Sequence, residues 1–435
     1  MLFEIIDGRP SPAQWFRDIR SDDRLKYLGR FIAPARSTCY EFRHRMSKFI
    51  KKIHLELLKM AAQEGHLEPI KGVLDGTIVR GIGSRHKLLT DTAVHKRTEE
   101  LEIVVANDCK QAGFQHPALP QWMGQTPLGR QRQLVRYRNS CKIIEQRLKD
   151  NLLRPKDKQL DPKHILVCPS EPEVQLSRDK EGVFGPVYNI QNLIDSKSQF
   201  ILVSDVFSTA TDARKAGLVL DQCRLDLNLQ LEELWADAGY CSVFDIMDCN
   251  ERGVELFSPF QENSFTAKKR SKQSGEKITR EQFQFHADKN SFQCPEGHTA
   301  HHSGQESVWR SGNTFATRHR YTVSAEHCQG CPLKEQCLSP KAKSRILTRI
   351  EGSELLEAMK EKMATPEGKA RSQSRGQIAE RTFADTKQHR GGRRMHGYGL
   401  ERAKVENLLN VLAQNLLTLH RKRKAETNPN EKQGP

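Results

Sequence analysis

Apolar residues recur at helical spacing from residue 38 to 64, through Phe42, Met46, Phe49, Ile50, Ile53, Leu57 and Met60, and the run stops at Gly65. Thr38 and Glu41 form a T-x-x-E capping box at its start, so the pattern predicts one amphipathic packing helix. The period then changes. Gly72-Val73-Leu74-Asp75-Gly76-Thr77-Ile78-Val79-Arg80-Gly81 sets β-branched residues around an Asp-Gly and reads as a strand or a tight strand pair with Asp75 at its rim. Residues 91–155 read as largely helical, broken between Pro117 and Pro127.

Further along, Val183 to Leu193 and Phe200 to Phe207 are apolar, β-branched runs separated by Asp195-Ser196-Lys197-Ser198, the pattern of an antiparallel hairpin. A helical stretch from Asp212 to Cys223 leads to a strand from Leu231 to Ala236, a short helix from Ser242 to Glu251 and a strand from Gly253 to Ser258. Alternation of this kind predicts an α/β sheet with parallel crossovers. From Pro259 to about Gly368 Lys, Gln, Ser, Gly and His dominate and apolar periodicity is lost, which reads as an insertion. Residues 369–388 are helical again, and Val405, Leu408, Leu409, Leu412, Leu416 and Leu419 mark a last amphipathic helix.

Composition narrows the function classes. A chain of 435 residues can bury a full core and hold two to three domains. Its net charge of +16 favours a polyanionic partner, and the stretch from Arg371 to Lys424, with 13 Lys/Arg against 4 Asp/Glu, carries +9 of it. No apolar run approaches the roughly 20 residues of a membrane span, and the N-terminus lacks a cleavable apolar signal, so a soluble, cytoplasmic protein is expected. Eleven cysteines in that compartment read as thiols, with any tight cluster a candidate metal site.

Asp75, Asp237 in Leu234-Trp235-Ala236-Asp237-Ala238-Gly239-Tyr240, and Glu380 in Ala379-Glu380-Arg381 stand out because metal-assisted phosphoryl transfer needs carboxylate oxygens on separate elements. Each also has an ordinary explanation: an Asp-Gly turn, an N-cap after a strand, a solvated helical ion pair. Their neighbours change the balance. Leu74-Asp75-Gly76-Thr77 with Gly83-Ser84-Arg85-His86-Lys87, then Tyr188-Asn189-Ile190-Gln191, Asp205-Val206 through Thr211-Asp212, Asp237-Ala238-Gly239-Tyr240, Glu380 with Lys387, and Asn407 to Leu419 with Gln414-Asn415-Leu416 follow one another along the chain. In that order they resemble the DDE transposases of bacterial insertion sequences, from about Ser37 to Arg421.

The resemblance implies a ribonuclease-H-like mixed α/β sheet flanked by helices, with a helical insertion and a Cys-containing insertion before the last catalytic helix. It divides the chain into a helical N-terminal region (1–70), the first part of the catalytic domain (71–259, with the helical insertion at about 91–180), the Cys-containing insertion (260–368), C-terminal helices (369–424) and a disordered tail (425–435). It also implies Asp75, Asp237 and Glu380 as catalytic ligands of two Mg²⁺ ions, which Mn²⁺ can replace, double-stranded DNA as substrate and a homodimer on that DNA. A catalytically silent DNA-binding remnant and a stand-alone nuclease are the competing readings. Two departures stand out. The family pattern Y-x2-R-x3-E-x6-K keeps its E-x6-K half here, while the nearest arginine, Arg375, is one residue early and no tyrosine precedes it. Relatives also carry a longer helical DNA-binding region at the N-terminus, so terminal-repeat recognition is expected to be incomplete.

The cations near Glu380, namely Arg375, Lys387, Arg390, Arg393 and Arg394, are candidate phosphate contacts, with plain solvated charge as the alternative. Cys328-Gln329-Gly330-Cys331 is a C-x2-C chelate that Cys337 and Cys294, or His298, would complete as a tetrahedral Zn²⁺ site. Reduced unliganded thiols and a redox pair are the other readings of the same four cysteines.

Overall fold

The computed structural model describes residues 1–110, 116, 118–179, 181–260, 278–310 and 314–427. Along the chain run helices α1 (Leu2–Ile6), α2 (Pro12–Ser21), α3 (Asp23–Leu28), α4 (Arg36–Met46) and α5 (Ile50–Gln63), strand β1 (Lys71–Arg80), and helices α6 (Asp91–Lys110) and α7 (Pro127–Leu152). Strands β2 (Leu176–Arg178), β3 (Phe184–Asp195) and β4 (Ile201–Phe207), helix α8 (Ala216–Leu227), strand β5 (Glu233–Ala236), helix α9 (Val243–Glu251) and strand β6 (Glu255–Phe257) follow. Then come β7 (Gln284–His286), β8 (Ser291–Gln293), β9 (Thr299–Arg310), β10 (Thr314–Val323), α10 (Ala325–Gln329), α11 (Lys334–Cys337), β11 (Ile346–Ile350), α12 (Ser353–Ala364), α13 (Pro366–His389) and α14 (Leu400–Thr427). These fall into two compact units, the first made of residues 1–151, 160–259 and 362–435, the second of 152–159 and 260–361.

The first unit is built on a mixed sheet in the order β2-β3-β1-β5-β6, with β4 also on β3. β1 lies at its centre, antiparallel to β3 and parallel to β5, and β5 is parallel to β6. The predicted hairpin is β3 and β4, paired antiparallel from Asn189↔Phe207 to Ile194↔Ile201. This is a mixed α/β architecture compatible with a ribonuclease-H-like fold. Ala379 of α13 and Val411 of α14 pack with Val73, Ile194, Ile201, Trp235 and Phe257 in one buried cluster. Phe383 and Ala403 join Val79, Tyr188, Ile190 and Val206 in another. α6 and α7 have their own core of Val94, Leu101, Leu134, Tyr137 and Ile144, with Leu89 and Val167 beside them.

Three expectations are corrected. Residues 38–64 form two helices rather than one: α4 ends at Met46, the Ser47 hydroxyl bonds back to the His44 carbonyl at 2.6 Å, and α5 begins at Ile50. Ala35 is the N-cap, with no side-chain cap, so the Thr38 capping box does not form. Most of the predicted stripe is exposed as well, including Phe42, Phe49, Ile53 and Met60, because α5 buries the offset row Ile50, His54, Leu57, Leu58 and Ala61. Asp75 stands within β1, opposite Asn192 of β3, not at a rim. The last helix runs on to Thr427, so residues 425–427 are helical, and the rest of the expected tail lies outside the described residues.

The second unit carries an antiparallel sheet in the order β11-β10-β9-β8-β7, where the sequence suggested no regular element. β9 reads Thr-Ala-His-His-Ser-Gly-Gln-Glu-Ser-Val-Trp-Arg and shows no apolar alternation. Its ladder with β10 carries cross-strand ion pairs in which Glu306 meets Arg318 at 2.8 Å and Arg320 at 3.1 Å. A small core of Phe283, Phe292, Ala300, Tyr321, Val323, Cys328 and Leu347 closes one end, with Phe292 edge-on to Tyr321 at 5.0 Å between ring centroids.

Candidate active site

Pairing of Val73 with Trp235 and of Leu74 with Ala236 brings β1 and β5 into parallel register. One residue further on each chain stand Asp75 and Asp237, so the two carboxylates issue from neighbouring strands roughly 4.8 Å apart. Alternation puts Asp75 on the same face as Val73, the face covered by α13. Asp237 ends its strand and caps the 3₁₀ turn Ala238–Tyr240, with Oδ1 accepting from the Gly239 amide at 2.8 Å. The ordinary N-cap role is therefore realised together with the placement beside Asp75.

A further carboxylate, Asp212, stands at the same place from the other face of the sheet. Its Oδ1 accepts from the side-chain amides of Asn189 and Gln191, both at 2.8 Å, and these residues lie on β3. The Tyr240 hydroxyl donates to Gln191 Oε1. Burial raises the Tyr240 pKa well above its ordinary value, and the charges of Asp212, Asp75 and Asp237 push it the same way, so the phenol stays a donor. Gly76 makes the approach of Asp212 to β1 feasible, since a Cβ there would run into the Asp212 carboxylate and the Gln191 amide. Likewise, a Cβ on Gly239 would sit 2.9 Å from Asp237 Oδ1 and 3.3 Å from Asp212 Oδ2. Sequence reasoning placed Asp212, Asn189, Gln191 and Tyr240 in shared motifs but gave none of them a place at the site. The signal was the polar pair Asn189 and Gln191, two residues apart on one face of a largely apolar strand and both fully buried.

α13 supplies the remaining groups. Its buried row, Ala379, Thr382 and Phe383, rests on the sheet. Arg375 Nη1 lies 3.2 Å from Asp75 Oδ1, both side chains being mostly buried. Position 376, where the family spacing would put arginine, is Gly376, and the guanidinium comes from one residue earlier. Lys387 Nζ donates to Thr77 Oγ1 at 2.5 Å, one side-chain repeat along β1 from Asp75. Glu380 lies on the exposed flank of α13, on the Lys387 side of the helix as their seven-residue spacing requires. The fold thus sets Asp75, Asp237 and Asp212 around Gly76 and Tyr240, with Glu380 on the exposed flank of α13, and among the described residues no three His, Cys, Asp or Glu side chains, these included, form a group that could hold a metal ion.

The other expected phosphate contacts divide. Arg390 is buried and paired with Asp385 at 2.8 Å, so it presents no cation to a DNA backbone. Arg393 is exposed and lies 3.2 Å from Glu181, and Arg394 donates to the Ile82 carbonyl at 2.8 Å. In the second unit Cys294, Cys328, Cys331 and Cys337 line one cavity of about 30 Å³ together with His298 and His327. Burial pushes the Cys337 thiol up, and the nearby Cys328, Cys331 and Cys294 act in the same direction.

A central strand thus carries one acid, its parallel neighbour ends in a second, and the covering helix has a third on its exposed flank. Residues 293–420 match the family model described as a transposase DDE domain. The matched stretch contains Glu380, Lys387, Asn415 and the four clustered cysteines, and it begins after Asp75 and Asp237. The match supports a DDE-type transposase, for which DNA is the implied partner. A search of curated proteins finds no match. No helix among the described residues is long and apolar enough to cross a membrane.

Proposed function

We infer that the chain is the transposase of a bacterial insertion sequence, cutting double-stranded DNA at the element's ends and joining the freed 3′-hydroxyl to target DNA as a homodimer. One observation carries the reading: the helix that bears Glu380 and Lys387 of the matched family segment covers the strand that bears Asp75, with Asp237 beside it. Asp75, Asp237 and Glu380 are the catalytic carboxylates in this reading. Hard cations take carboxylate oxygens, and the donor set suits two Mg²⁺ ions, with Mn²⁺ as substitute. Asp75 and Asp237 would hold them from adjacent strands, and Glu380 would have to turn in from the exposed flank of α13 to join them. When bound, such ions offset charge on the attacking and leaving oxygens of the phosphodiester.

The chain's own groups position these acids. Arg375 neutralises Asp75 and lessens its repulsion with Asp237, which lets two carboxylates issue from neighbouring strands. Asp212, fixed by Asn189 and Gln191, limits the space behind Gly76 and orients the Tyr240 hydroxyl through Gln191. Lys387, on Thr77, puts an ammonium beside Asp75 where a DNA phosphate would approach.

The test is incubation of the full chain with DNA carrying the ends of its own element and Mg²⁺. Cuts at those ends are expected, and Asp75→Asn, Asp237→Asn and Glu380→Gln should each abolish cutting with DNA affinity retained, since each removes a metal ligand without touching phosphate contacts. Cutting without end preference would mean a stand-alone nuclease. Binding without cutting would mean a silent remnant, and either result overturns the proposal. A single variant that cuts normally removes its residue from the catalytic set.

A further inference from the structure

We propose that Cys294, Cys328, Cys331 and Cys337 hold one structural Zn²⁺ in the second unit, apart from the carboxylate site. The four come from three separate places in that unit: the turn after β8, the end of α10 with the residues just beyond it, and the end of α11. All four face the same cavity of about 30 Å³. A water there would need two to four good polar partners. Thiols are weak donors and weak acceptors, so they suit a soft cation better.

Backbone geometry is the independent observation. The His298 amide is directed at Cys294 Sγ at 3.3 Å, and the Arg345 amide at Cys328 Sγ at 3.5 Å. An N–H donated to sulfur favours the thiolate over the thiol. The first arises in a tight loop in which Gly297 N donates to Cys294 O at 2.9 Å and Cys294 N to His298 O at 2.8 Å, with Gly297 at φ +83°. Only glycine adopts that angle without strain, and it lets the chain fold its amides back around one sulfur. Second-sphere donors of this kind orient metal ligands.

As placed, no three of these side chains are gathered into a metal-holding group. Four Zn–S bonds of about 2.3 Å therefore require the sulfurs to turn inward about χ1, each thiol giving its proton to solvent as its bond to zinc forms. Cys294, Cys331 and Cys337 are only half-buried, which leaves their rotation open. His298 and His327, stacked at 4.1 Å between ring centroids, line the same cavity and are the rival ligands.

The full chain, purified under reducing conditions without chelator, should contain one zinc per molecule by elemental analysis. Replacing it with Co²⁺ should give thiolate-to-cobalt charge transfer and the intense visible bands of a tetrahedral site. Cys328→Ser with Cys331→Ser should lose the metal and leave residues 278–361 protease-sensitive, while Cys109→Ser, an exposed thiol of the first unit, keeps it. Wild-type protein free of zinc and without cobalt–thiolate bands overturns the site. Zinc kept by the double variant overturns the ligand assignment, and zinc lost on His298→Ala but kept by Cys294→Ser hands the fourth position to the imidazole. None of these results depends on whether the protein cuts DNA.

Discussion

At the scale of single residues, the site depends on glycines as much as on acids. Gly76 has no room for a methyl: its Cβ would meet the Asp212 carboxylate, the Gln191 amide and, at 3.0 Å, the Tyr240 hydroxyl. Because Asp212 and Gln191 are fixed by their own hydrogen bonds, they cannot move aside cheaply. Gly76→Ala should therefore lower stability by about 1–3 kcal/mol, the usual range for overpacking, and displace Asp212. Gly376→Ala is the matched control. It lies on α13 with nothing near its Cβ, and exchanging glycine for alanine in a helix interior should gain up to ~1 kcal/mol. Urea unfolding of the two variants measures the contrast, and equal midpoints would show that the packing argument is wrong.

Individual elements show what the sequence could and could not reveal. β1, β3, β4 and β5 were legible because their buried faces are apolar and β-branched, and Asp75 and Asp237 were legible because they follow such runs. β9 and β10 were not, because their ladder is held by backbone bonds and the Glu306 ion pairs, leaving no alternating apolar face to read. The break at Ser47 was hidden for a different reason: the apolar spacing continues through it, while burial follows another row. Asn415 marks the limit of periodicity more sharply. It is a fully buried polar residue on an apolar helix, where its Oδ1 accepts from the Ile201 amide at 2.9 Å and its Nδ2 donates to the Ile201 carbonyl at 2.8 Å, fastening α14 to the start of β4.

His54 of α5 shares that junction, with Nε2 3.0 Å from the Ile201 carbonyl oxygen and 3.0 Å from Asn415 Nδ2. Burial lowers its pKa from 6.5 to about 4. The unfolded chain consequently takes up a proton below pH ~6.5 that the folded chain refuses. The contribution of neutral His54 is complete above that pH and is lost as pH falls toward 4, by about 3 kcal/mol at most. Glu4 works in the opposite sense, since burial and then the neighbouring Asp18 carboxyl raise its carboxyl to about 7, so its contribution is full below its unfolded value and lost as pH rises through 7. Comparing wild type with His54→Leu separates the two. The variant should lose less stability than wild type between pH 7 and 5 in urea unfolding, and an identical loss would remove His54 from the acid response.

For the whole molecule, the net charge of +16 bears on how it meets DNA, but structure decides which cations count. The basic C-terminal stretch suggested five phosphate contacts near Glu380, of which Arg375 is taken up by Asp75. Arg390 is excluded by burial against Asp385, which leaves Lys387, Arg393 and Arg394. Each phosphate contact releases about 0.9 of a counterion, so neutralising those three together should reduce the log–log salt slope of DNA binding by roughly 2 to 3. Arg390→Gln should leave the slope as it is and instead lower the unfolding midpoint, because it removes a buried charge-assisted bond worth roughly 1.5–3 kcal/mol. Titrations of labelled DNA at several salt concentrations give the slopes directly. A slope that falls for Arg390→Gln as much as for one of the exposed cations would mean that the Asp385 pair opens on DNA. A slope unchanged in the triple variant would place the DNA on some other face of the chain.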